Sequence, residues 1–123
     1  MTSKYDLAYE DIKYISKNNG WKTTGVMNNK YWQYIDLSVE IPDERAIFPI
    51  IIEDDLYSRM ISQLNFIADE IRKEIDPEER VVPIIVALKD VNRKERKAVD
   101  IRGIPICRYE NAPRLEQCFL KHA

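Results

Sequence analysis

The stretch IFPIIIEDDLYSRMISQLNFIADEIRKEI, Ile47 to Ile75, decides the fold. Its first six residues, Ile47 to Ile52, are apolar at every position, as a strand buried on both faces requires. Its second half carries Met60, Leu64, Ile67, Ile71 and Ile75 at helical spacing, one continuous apolar stripe that "DPEE" closes. A two-sided strand feeding an amphipathic helix asks for a right-handed crossover to a parallel neighbour. Pro49 lies inside the strand and cannot donate to a ladder, so a bulge or a local edge is expected there. Three consecutive acids, Glu53, Asp54 and Asp55, stand at the junction. Either they cap the helix, or they hold a cation.

The neighbouring segments extend the pattern in both directions. Downstream, "VVPIIVAL" is a second buried strand, again interrupted by a proline. Asp90 or Asn92 can start the charged helix "NRKERKAVDIR", which Gly103 ends, and Pro113 opens a final helix carrying Leu115, Cys118 and Phe119. Upstream, "YWQYIDLSVEI" alternates, with Ile35, Leu37, Val39 and Ile41 on one face and Trp32, Tyr34, Asp36, Ser38 and Glu40 on the other. Ser3 or Asp6 can cap a first helix with Leu7, Ala8, Ile12 and Ile15 at helical spacing, and Gly20 ends it. Strands are expected at Trp21–Asn28, Tyr31–Ile41, Ile47–Ile52, Val81–Leu88 and Ile104–Tyr109. The order α-β-β-β-α-β-α-β-α predicts an α/β protein: an antiparallel meander, then βαβ units, in one mixed central sheet with helices on both faces.

At 123 residues the chain reads as a single domain, and 45% hydrophobic with 33% charged residues excludes a disordered or fibrous protein. The longest apolar runs are too short to span a bilayer, which argues against a membrane partner. No charged-then-apolar leader opens the chain, and Cys107 and Cys118 suggest no disulfide framework; they read as small core hydrophobes, and a cytoplasmic location is expected. The three glycines are scattered singly, which excludes a phosphate-cradling loop. His122, the one histidine, is next to the last residue and is an improbable partner for a nucleophile. Net charge is −2, but it is unevenly spread. Residues 36–79 hold thirteen acids and four bases, whereas 89–108 hold seven bases and three acids. Such asymmetry suggests two surfaces with different partners.

This order, with its acids, resembles the PD-(D/E)XK, or restriction-endonuclease-like, nuclease superfamily. The family pattern sets a Glu on the first helix, an Asp on the second strand, Glu-x-Lys at the end of the third and, in some branches, a Gln on the next helix. Glu10, Asp36, Glu53 and Gln63 stand at the matching places here, while Asp55 replaces the lysine. The resemblance implies a Mg²⁺- or Mn²⁺-dependent nuclease. Asp36 and Glu53 would be metal ligands, Asp55 a third ligand or a water-orienting acid, Glu10 an outer ligand and Gln63 a positioning group. It also implies a homodimer where both strands are cut. Some branches replace the lysine with an acid and stay active; others are silent and serve as binding or adaptor subunits for a protein partner. "VPIIVALKD" through "IPICRYENAP" also resembles the second half of a receiver domain, but the meander does not fit its first half.

The chemistry of the acids is independent of any family. Three carboxylates within a few ångströms repel unless one is protonated or a cation bridges them, and hard oxygen ligands suit Mg²⁺ or Mn²⁺. Lys89 restores the lost positive charge if its strand end neighbours that of Glu53. Together with Lys89, the helical Arg93, Lys94 and Lys97 form a candidate contact for nucleic-acid phosphates; a charged helix is more commonly just a solvated face.

Overall fold

A computed structural model describes residues 2–24, 35–56 and 58–123. The expected strand segments at 25–28 and 31–34, with Trp32 and Tyr34, lie outside the described residues. The elements are α1 (Lys4–Asn19), β1 (Lys22–Thr24), β2 (Leu37–Ile41), a short 3₁₀ turn (Pro42–Glu44), β3 (Ala46–Glu53), α2 (Ser58–Glu74), β4 (Arg80–Val81), β5 (Ile84–Ala87), α3 (Arg93–Arg102), β6 (Ile106–Arg108) and α4 (Ala112–His122). The six strands form one mixed sheet in the order β1-β2-β3-β5-β6, with β4 pairing β3 beside β5. β1, β2 and β3 are antiparallel neighbours, and β3, β5 and β6 run parallel.

Each face of the sheet has its own core. On one, Phe48, Ile50 and Ile52 of β3 pack with Ala8, Ile12 and Ile15 of α1 and Leu115 and Phe119 of α4. On the other, Ile51 and Ile85 pack with Ile61, Leu64, Ile67, Ala68 and Ile71 of α2 and Val99 of α3. The stripe read from α2 is therefore its buried face, with Met60 and Ile75 partly covered at its ends. Leu7 departs from expectation: it is 46% exposed, because the stripe of α1 is centred on Ala8, Ile12 and Ile15.

Capping explains where the helices stop. Ser3 accepts the Asp6 amide at the start of α1, and Asn92 with Glu95 forms a reciprocal capping box on α3. Gly20 and Gly103 follow α1 and α3 with φ of 72° and 67°, a left-handed turn that glycine adopts without steric cost.

The two strand prolines lie opposite each other. The offset that pairs Ile47 with Val81 and Ile50 with Ile84 sets Pro49 against Pro83. The donor missing at Pro49 thus falls at the gap between β4 and β5, and β3 runs through without a bulge there.

A different irregularity lies in β2. The Asp36 amide donates to the Ile50 carbonyl, although Ile50 is already opposite Leu37. Two residues facing one is the arrangement of a β-bulge. A one-residue slip turns side chains to the other face, and so Ile35 belongs to the α2 core while Leu37, Val39 and Ile41 belong to the α1 core. The single-faced alternation expected from Ile35 to Ile41 is corrected at that step.

The cysteine expectation is also corrected: Cys107 of β6 and Cys118 of α4 form a disulfide. The chain turns back on itself between β6 and α4 and brings their Cα atoms to 5.9 Å, within bridging range.

Candidate functional site

The acids gather at one edge of the sheet, where β3 and β5 end and β2 begins. Glu53 is the last residue of β3, opposite Ala87 of β5, and its carbonyl accepts the Leu88 amide at 2.9 Å. The strand does not continue to Asp55, so Asp54 and Asp55 lie in a bend and are exposed. Helix α2 starts at Ser58, three positions beyond Asp55. No acid lies in the first turn of α2.

Asp36 is held from two sides. The Tyr5 hydroxyl of α1 donates to its Oδ1 at 2.5 Å, and the Ile52 amide of β3 donates to its Oδ2 at 2.7 Å. The second bond places the Asp36 side chain where a strand carbonyl would otherwise accept. Tyr5 is half-buried, and burial, with the bonded Asp36 carboxylate, raises its pKa well above the ordinary phenol value.

Glu53 is half-buried beside this pair, and its carboxyl pKa is raised. Burial is the largest cause, followed by the charges of Asp36, Asp54 and Asp55. No hydrogen-bond donor or cation among the described residues partners the Glu53 carboxylate. A half-buried acid pushed upward by three like charges is a recognised mark of a functional site, although structural clusters show it too.

Two lysines border the acids. Lys89, just past β5, reaches Asp55 Oδ1 at 2.9 Å, so the two strand ends are neighbours as the Lys89 expectation required. That carboxylate raises the lysine pKa. Lys4, in the first turn of α1, donates to the Leu88 carbonyl at 2.8 Å. Arg93, Lys94 and Lys97 are exposed on α3, which starts at this edge, and none is ion-paired among the described residues.

Other candidates lie apart. Glu10 is exposed on α1, 4.0 Å from Lys13. Gln63 is half-buried in the second turn of α2, with no hydrogen bond to the acids. Among the described residues no three His, Cys, Asp or Glu side chains form a ready-made metal cage. An open groove of about 580 Å³ lies at the opposite end of β3, lined by Lys22, Glu40, Arg45, Asp76 and Glu79 among others. Arg45 there adopts φ 50° and is ion-paired to Asp76, Glu78 and Glu79. Arg45 is thus committed to three acids, and the groove lies at the other end of β3 from Glu53, so size does not make it the site.

Tyr5 and Lys4 had no signal in the sequence, where "SKYD" reads only as a helix start. No family model, curated protein or solved structure matches the chain.

Proposed function

We propose that the chain is a metal-dependent nuclease of restriction-endonuclease-like fold with an altered motif. In this reading Glu53 and Asp36 hold Mg²⁺ or Mn²⁺. The single observation that carries it is Glu53: half-buried, unpartnered among the described residues, and with a pKa raised by that burial and then by three neighbouring acids. A divalent cation would remove that penalty. Mg²⁺ sites commonly use one or two carboxylates and take the rest of their ligands from water and substrate phosphate, so two acids suffice. Asp36 fits as the second donor, because each of its oxygens accepts one bond and keeps a lone pair. Asp55 fits poorly as a third, being turned to Lys89.

When bound, the ion supplies Lewis-acid polarisation of a phosphodiester and a bound water of lowered pKa. The remaining work belongs to the chain. Lys89 brings the positive charge that the replaced lysine would have given, at the Asp55 position. Arg93, Lys94 and Lys97 extend positive charge from this edge for sequence-independent contacts with nucleic-acid phosphates. Glu10, exposed on α1 beside Lys13, and Gln63 have lesser parts.

A second reading has its own support. Asp36 and Asp55 already have protein partners, as they would in a silent protein of the same fold acting as an adaptor. The two readings separate on metal. Mn²⁺ at about 100 Kd should stabilise the enzyme by about 2.7 kcal/mol. Glu53→Gln should abolish that melting shift together with Mn²⁺-dependent cleavage of a plasmid or branched DNA. A melting curve unmoved by millimolar Mn²⁺ rejects the nuclease and leaves the adaptor.

A further inference from the structure

We propose that Tyr5 is a positioning residue: its hydroxyl and the Ile52 amide together fix the Asp36 carboxylate beside Glu53 in the orientation that receives a divalent cation. The inference rests on the reading of Asp36 and Glu53 as cation ligands.

Three observations converge on it. The first turn of α1 is anchored over the site, by Ser3 capping the helix and by Lys4 bonding the Leu88 carbonyl. Tyr5 is steadied in turn by its stacked neighbour Tyr9, with ring centroids 6.3 Å apart. Finally, Asp36 lies at the bulge-like step of β2, where the regular ladder no longer dictates its direction. Bulges re-aim side chains, and an aimed carboxylate still needs something to hold it. One donor from α1 and one from β3 reach different oxygens of the same group, so rotation about its terminal bond would break both. Charge-assisted O–H···O⁻ bonds of this length are among the stronger ones available to a side chain. Groups that orient a ligand from behind commonly change metal affinity by about 10–100-fold when removed.

The fold supplies its own control. Tyr109 donates to Asp11 Oδ2 at 2.6 Å, another Tyr–Asp bond to α1, but one that does not involve Asp36 or Glu53. Removing either hydroxyl should lower the melting temperature of the metal-free protein by a similar small amount, so a structural role alone does not distinguish them. Affinity for Mn²⁺, measured by isothermal titration or by the loss of the free-ion electron paramagnetic resonance signal, does. Tyr5→Phe should weaken Mn²⁺ binding about tenfold or more, whereas Tyr109→Phe should stay within about twofold of the parent. If Tyr5→Phe weakens binding no more than Tyr109→Phe, the positioning role is wrong while the metal reading stands. If the unmodified protein itself binds no Mn²⁺, the metal reading fails and the positioning role falls with it.

Discussion

Cutting the Cys107–Cys118 bond should destabilise the protein without undocking α4. The bond joins residues 11 apart in sequence. Loop-closure entropy for so short a loop gives about 2.8 kcal/mol of stabilisation through the unfolded chain at 25 °C. With a specific unfolding entropy of about 2.1 cal/mol/K per residue, this chain should lose about 10 °C of melting temperature on reduction. The helix has other anchors. Leu115 and Phe119 are both 0% exposed, and the Phe119 ring meets Phe48 edge-on with centroids 6.0 Å apart. Each such side chain contributes about 1.5–3 kcal/mol by burial, so the pair together outweighs the disulfide. Calorimetry with and without a phosphine reductant should therefore show one cooperative transition in both states, displaced downward in the reduced protein. The far-UV circular dichroism should not change. Cys118→Ser should melt like the reduced protein and ignore reductant. Two titratable thiols in the denatured, unreduced chain would refute the pairing. A reduced form melting within a degree or two of the oxidised one would refute the loop argument.

Two further outcomes follow from the packing and the charges. Because the folded-state pKa of Glu53 is raised from its ordinary 4.5, its contribution to stability is fully present below that value and is lost as pH rises through the folded pKa. Glu53→Gln should consequently stabilise the metal-free protein at pH 7 and give a smaller gain at pH 4; thermal melts showing the same gain at both would contradict the repulsion. Leu64→Ala, at a site with no exposure on the sheet-facing side of α2, should cost about 2–5 kcal/mol in urea unfolding, while the exposed Ser62→Ala should change little; equal tolerance would mean the stripe is misassigned.

What the sequence discloses and what it hides divide along a physical line. Elements set by local chemistry are legible: the stripe of α2, the glycines that end α1 and α3, and the caps at Ser3 and Asn92. The mixed sheet with parallel β3 and β5 follows from the order of those elements. Features set by distant partners are not legible. Pro49 counts against a central strand until the pairing offset sets it opposite Pro83. The cysteines look independent until β6 and α4 fold back together, and the expectation of a reducing compartment rested partly on leaving them unpaired. In the candidate site Glu53 and Lys89 could be named from their places at strand ends, and Asp36 from the motif that places an acid on the second strand. Tyr5 could not, since nothing on α1 states that it will meet a bulge-like step more than thirty residues away in the chain.

The distribution of donors bears directly on what the acidic edge is for. Burying a carboxylate without a partner costs stability, and here Asp36 has two donors and Asp55 has a lysine. Glu53, the half-buried acid at the strand end, has no such partner among the described residues, and burial together with the charges of Asp36, Asp54 and Asp55 raises its carboxyl pKa. A glutamine at this position would keep the shape and discard the charge, so the glutamate is a local sacrifice of stability. Such sacrifices concentrate at functional sites, where the cost is offset by the bound state and not by the fold. Of the ligands that would reward a lone carboxylate among acids, a cation is the one whose charge turns each repulsive neighbour into a favourable one. On the proposed nuclease reading the lysines at the rim would serve the same end, because an anionic substrate approaching a cation there would pass positive charge, not bare carboxylates.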